Sequence, residues 1–175
     1  MQELTFSVAE LLGHPGTYRD LRIDRPLAGV RTALAYLDEA EHVSAELRAE
    51  SVVEGILVSG RLSGVAHLSC ARCLRAFSDQ VELGICELFY GPGQRPAADQ
   101  DSYEVRGTDI DLEPLLRDAL VLALPLHPLC AESCKGLCAR CGADLNQGSC
   151  GCVESQVDPR WAPLEALRQR LQGTG

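Results

Sequence analysis

Eight of the nine cysteines fall in pairs at the spacing of metal ligands. Cys70 and Cys73 form a C-x2-C, Cys130 and Cys134 a C-x3-C, Cys138 and Cys141 a second C-x2-C, and Cys150 and Cys152 a C-x-C. One tight turn carrying such a pair presents two sulfurs to one ion, and four thiolates complete the tetrahedron of a structural zinc site. Eight ligands make two sites, each expected to hold one Zn2+. Two knuckles sharing a single ion would leave four thiols spare, again in pairs.

Chain connectivity suggests how the pairs combine. Cys138, Cys141, Cys150 and Cys152 form a local loop that needs no other part of the chain. Cys70 and Cys73 are then completed by Cys130 and Cys134, so that the first site staples two distant segments. The tetrapeptide CARC occurs at Cys70–Cys73 and again at Cys138–Cys141, where Gly142 follows, as suits a turn folding under a metal. Cys86 stands alone and reads as a small buried or half-buried apolar residue.

Other thiol chemistries fit less well. A reducing compartment disfavours a disulfide framework, and the C-x8-C-x-C run matches neither common ferredoxin spacing. A redox C-x-x-C wants a strand-to-helix setting, whereas Cys70–Cys73 lies between two strand-like runs. None of His14, His42, His67 and His127 begins the H-x-E of a zinc deaminase. There is no G-x-S-x-G, P-loop or G-x-G-x-x-G, and no nucleophile is set beside a base in sequence. Asp99, Asp101, Glu104, Asp109, Asp111 and Glu113 read as a solvated loop and a helix start rather than a catalytic carboxylate pair. Four-thiolate zinc leaves no open position, so the reading is non-enzymatic.

The elements that must position these thiols are legible in outline. Leu4 to Val8 reads as a short strand and PGTYRD after it as a turn. PLAGVRTALAYLDEA, residues 26–40, fits either a helix turn or a loop. From His42 the period is two: Val43, Ala45, Leu47 and Ala49 share a face, and Val81, Leu83, Ile85 and Phe89 share another. This predicts an antiparallel meander, barrel-like or strongly curved, in an α+β fold. GPGQRPAADQDS reads as a loop. Asp111 is placed to cap the one main helix, with Glu113 and Pro114 in its first turn and Pro125 ending it. Its apolar positions are Leu112, Leu115, Leu116, Ala119, Leu122 and Ala123. A short C-terminal helix follows, with Asp158 as cap, Pro159 first, and Trp161, Leu164, Leu167 and Leu171 as its apolar face. The expected organisation is a core over 1–129, a zinc-binding ribbon over 130–157 and the terminal helix over 158–172.

The chain of 175 residues is acidic, with a formal charge of −9, and of its 16 basic residues only Lys135 is a lysine. A zinc ion with four thiolates carries −2, so two such sites take the charge from −9 to −13. Non-specific attraction to nucleic acid is therefore weak, and DNA is not an expected partner. RNA or a partner protein would meet the local basic residues at the knuckles, Arg72 and Arg75 on one, Lys135 and Arg140 on the other. MQELTFSVAELL lacks the basic start of a signal peptide, and the longest apolar run, ALVLALPL, is too short for a bilayer. The expected location is cytoplasmic, away from membranes.

The order of the motifs LSCARCLRAF, ELFY, DIDLEPLLRDALVLALPLHPLC, CKGLCARCGADLN and DPRWAPLEALRQRL resembles the YceD family of large ribosomal RNA subunit accumulation proteins. The resemblance runs from about Phe6 to Leu171. It implies a bacterial protein with plastid relatives, needed for 23S ribosomal RNA accumulation and large-subunit biogenesis. Some members lack the Cys138–Cys152 cluster while keeping counterparts of the other two pairs. Partners would be 23S rRNA or its precursor, or a basic large-subunit ribosomal protein. The alternatives are a redox-responsive chaperone that releases zinc and an rRNA-processing enzyme.

Overall fold

The protein is described from a computed structural model, covering residues 4–94 and 102–152, with Leu164 beyond them. Two compact units divide the chain, Met1–Cys134 and Lys135–Gly175.

The first unit is built on a sheet of long strands. β1 is Thr5–Ser7, β2 Tyr18–Pro26, β3 Ala35–Tyr36, β4 His42–Val52, β5 Gly55–Ser69 and β6 Ala76–Tyr90. β7 is Tyr103–Glu104, β8 Asp109–Asp111 and α1 Glu113–Ala123. The sheet runs in the order β2-β4-β5-β6-β7, with β3 pairing beside β4 along the same edge of β5. All pairs are antiparallel except the short parallel contact of β7 with the end of β6. β1 and β8 form a separate antiparallel pair.

Of the expected barrel-like or strongly curved sheet, a closed barrel is corrected: among the described residues β2 ends the sheet on one side and β7 on the other, and no strand pairs the two. Closure needs a register that returns the last strand to the first, which local alternation does not encode. One face of the sheet is buried. On β4 it carries Val43, Ala45, Leu47 and Ala49, none more than 3% exposed, as the two-residue period predicts. Opposite them lie Leu21 and Ile23 of β2 and Val58 and Leu62 of β5. β2 itself replaces the expected turn: Leu21 and Ile23 are its buried residues, Arg25 is half-buried and its other charged residues are exposed. Residues 26–40 form loop and the short β3 rather than helix.

α1 packs its apolar stripe on this core. Leu112, Leu116 and Leu120 are fully buried, and burying such side chains contributes about 2 kcal/mol each. Two details of the helix are corrected. Asp111 belongs to β8 and its carboxylate accepts the Glu113 N–H at 3.0 Å, while Leu112 takes the cap position. Leu122 is 86% exposed and Ala123 is also exposed; Leu122 lies nearly opposite Leu120 around the helix, two residues on at about 100° each. Cys86 is corrected as well: it is exposed, on the solvent face of β6. Of the expected terminal helix only Leu164 is described, as helical and 53% exposed; Asp158, Pro159, Trp161, Leu167 and Leu171 lie outside the described residues. No helix among the described residues is long and apolar enough to cross a membrane.

Candidate metal centres

Both CARC copies fold into the same turn. In the first, the Cys70 N–H donates to the Arg75 carbonyl and the Leu74 N–H returns to the Cys70 carbonyl, each at 2.9 Å. In the second, Cys138 N–H donates to Ala143 at 2.8 Å and Gly142 N–H to Cys138 at 2.9 Å. The residue after the second cysteine turns left-handed in both, Leu74 at φ 59° and Gly142 at φ 72°. Glycine adopts this conformation without strain; leucine adopts it at a cost of about 1 kcal/mol.

The first turn is the tip of the β5–β6 hairpin. Its Ala71 N–H donates to the Pro128 carbonyl at 2.8 Å, and Arg72 Nη1 donates to the carbonyls of Cys134 at 2.8 Å and Glu132 at 3.3 Å. These bonds bring the segment after α1 against the hairpin. Cys70, Cys73, Cys130 and Cys134 converge there with all four sulfurs within 4.8 Å of one another. Cys70, Cys73 and Cys134 are buried and Cys130 is half-buried. Replacing Arg72 with alanine leaves two carbonyls without this donor, and is expected to cost about 1–2 kcal/mol. Faster capture of the metal by a chelator than in the parent protein is the check.

The second tetrad lies in the second unit. Cys138, Cys141, Cys150 and Cys152 also bring four sulfurs within 4.8 Å, but Cys141 is exposed and the rest only half-buried. The loop is held by polar side chains that the spacing of cysteines did not reveal. Asp144 Oδ1 accepts the Asn146 N–H at 2.9 Å, and Asn146 Oδ1 accepts the Lys135 N–H at 2.8 Å. Asp and Asn in a short glycine-bearing stretch are the signal that could have found them.

Protons are unequally held in each tetrad. Backbone N–H groups of Cys130, Cys73 and Arg72 directed at the Cys70 sulfur bring its pKa down to about 6, and those of Cys141 and Arg140 do the same for Cys138. Cys130 is pushed up to about 12 by its hydrogen bond with Cys73 and by burial, and Cys152 up to about 12 by its bonds with Cys141 and Cys138. Each tetrad thus pairs one cysteine poised as a thiolate, Cys70 or Cys138, with one that holds its proton, Cys130 or Cys152, until a cation compensates the charge.

Arg72 and Arg75 belong to the first unit, Lys135 and Arg140 to the second. Arg72 serves the first turn as above, the Arg75 carbonyl closes it, and Lys135 and Arg140 are exposed in the second unit. The structure also lines up a row absent from the sequence reading: Ser78 Oγ lies 3.2 Å from His67 Nδ1, and His67 Nε2 3.2 Å from Glu41. The row sits on the solvent face of the sheet, where Glu41 is 44% exposed, so water competes for each bond. Among the described residues the two cysteine tetrads are the groups that could hold a metal ion; Glu104, Asp109, Asp111 and Glu113 make no third.

The family model described as "Large ribosomal RNA subunit accumulation protein YceD" matches residues 58–168. An uncharacterized protein of Mycobacterium tuberculosis is 36% identical over 166 residues, covering 92% of this chain and 79% of that one. YlbN, an uncharacterized protein of Bacillus subtilis, is 32% identical over 61% of this chain and 62% of its own. A protein of Arabidopsis thaliana named large ribosomal RNA subunit accumulation protein YCED homolog 1, chloroplastic, is 36% identical over 64 residues, 37% of this chain and 20% of that one. No solved structure matches. The match covers both cysteine tetrads and most of the chain, and the protein belongs to the YceD family.

Proposed function

We propose that the chain is a non-enzymatic factor supporting 23S rRNA accumulation and large-subunit biogenesis in the cytoplasm, with two zinc ions as structural scaffold. The observation that carries the zinc reading is the sulfur geometry of the first tetrad. Cys70 and Cys134 sulfurs are 3.8 Å apart and those of Cys73 and Cys130 3.6 Å. The edge of a tetrahedron with zinc–sulfur bonds of about 2.3 Å is about 3.8 Å, whereas a disulfide would need about 2.05 Å. Four buried or half-buried thiols with no open position suit a structural ion. Bound there, zinc would join the β5–β6 hairpin to the chain after α1. The core over 1–129 and the segment 130–157 would then be linked by the metal as well as by the chain, with the helix over 158–172 following.

The ribosomal reading is supported by family membership and by the names of the plastid relatives. The partner is 23S rRNA or its precursor, or a basic large-subunit ribosomal protein; Arg72, Arg75, Lys135 and Arg140 are the residues offered for contact. Crosslinking in cells, followed by identification of bound RNA and protein, tests it. Recovery of 23S rRNA or large-subunit proteins is expected; recovery of neither contradicts the reading. Exposure of Cys141 favours a second reading for the second tetrad alone, in which mild peroxide releases its metal and forms disulfides.

Because the ligands must be deprotonated, protons compete with the metal. Acidification is expected to release zinc, followed with a colorimetric chelator, and the exposed second site should empty first. Release independent of pH would contradict thiolate ligation.

A further inference from the structure

Among the described residues, no strand pairs with the outer edge of β6 from Ala76 to Leu88. The pairing with β5 fixes which residues face it: Cys70 N–H bonds Arg75 and Gly91 N–H bonds Glu54, so odd-numbered residues between them point their backbone groups at β5. Even-numbered residues point theirs outward, as the Tyr90 carbonyl shows by accepting the Val105 N–H at 3.0 Å. Among the described residues only Phe89 and Tyr90 gain a strand partner on that side, so Ala76, Ser78, Glu82, Gly84 and Cys86 present their backbone groups as a free edge, while at Gln80 only the carbonyl does, its N–H donating to Asp79 Oδ1 at 2.9 Å. The inner face beside it is incompletely covered: Phe77, Val81 and Leu83 pack on the core but stay half-exposed.

From Ala76 to Tyr90 the strand carries Asp79, Glu82 and Glu87 and no lysine or arginine. Two copies pairing edge to edge would therefore never set a base against an acid in any register, and like charges face each other in several. A basic strand meets the opposite situation. Opposed edges differ in this respect: β2 mixes Arg19, Arg22 and Arg25 with Asp20 and Asp24 and ends in Pro26, a blunted edge.

We propose that the Ala76–Cys86 edge of β6 binds an extended, basic segment of a partner protein as an added strand. Its backbone pairs with the free outward N–H and carbonyl groups of these residues. Its apolar side chains cover Val81 and Leu83 on the inner face, and the lysines or arginines alternating with them meet Glu82 on the solvent face. The proposal stands on the edge geometry and charge, and holds whether or not the ribosomal role carries over.

A labelled peptide repeating Lys-Thr-Lys-Val, twelve residues long, serves as probe against the full zinc-loaded chain, read by fluorescence anisotropy and by amide hydrogen exchange. Binding is expected, with new protection of the amides of Ser78, Glu82, Gly84 and Cys86. The repeat Glu-Thr-Glu-Val should not bind. E82K is expected to weaken binding about tenfold at low salt. Gly84→Pro removes an outward N–H that the β5 pairing does not use, and should weaken it about as much with unchanged circular dichroism. The proposal is overturned if those amides are already protected in the free chain or if the peptide protects a different surface. It is equally overturned if an RNA oligonucleotide protects the same amides while the peptide does not, or if Gly84→Pro instead abolishes a dimer.

Discussion

Replacing Cys73 with serine is expected to lower the stability of the first unit by about 3–5 kcal/mol, whereas Cys150→Ser leaves the melting of that unit unchanged. The asymmetry follows from what each tetrad joins. Cys73 sits at the hairpin tip between β5 and β6, and the ion there would hold residues 130–134 to strands that also carry the core. With serine in its place the remaining thiols of Cys70, Cys130 and Cys134 bind metal poorly, and buried Cys70 keeps a sulfur whose charge has lost its compensation. Cys150 belongs to a loop that closes on itself within the second unit. Differential scanning calorimetry of both variants with native metal content separates the cases. Equal destabilisation of the first unit by the two would show that the thiols are combined differently.

Gly60→Ala is expected to be as damaging without touching a thiol. Gly60 lies in mid-β5 at φ +152°, and a Cβ there would stand 2.1 Å from the Glu46 carbonyl oxygen and 2.8 Å from Leu47 Cα. Both neighbours are backbone of β4, so the strain cannot be relieved by turning a side chain. Either the β4–β5 register shifts, moving Ala45, Leu47 and Ala49 out of the core, or the strands part. A cost of about 3 kcal/mol or more is expected, a large share of the stability of a domain this size. Urea unfolding measures it, and a variant within about 0.5 kcal/mol of the parent would show that the two strands are not held this closely.

The thiol pairing could be read from spacing because each pair is local and the chain order leaves few ways to combine them. β4 could be read because its inward residues are uninterrupted; β2 could not, since an edge strand with Arg and Asp at its outward positions imitates a turn. β3, β7 and β8 span two or three residues each and are created by pairing rather than by pattern. The exposure of Cys86 depends on which elements cover a face, information no single segment contains. Arg72 illustrates the same limit within the site. As a sequence feature it is a cation beside a knuckle; in the fold its guanidinium donates to Cys134 and Glu132 carbonyls and so helps shape the tetrad. The resemblance to the YceD family rested on motif order, which local physics does not supply and which the family match over residues 58–168 bears out.

That each tetrad holds one zinc ion is tested most directly by elemental analysis of the chain purified without added metal, with X-ray absorption to identify the ligands. The result predicted is about two zinc per chain, each with four sulfurs at about 2.3 Å. One zinc would remove the second site, and iron, or no metal with disulfides in its place, would contradict the structural-zinc assignment altogether.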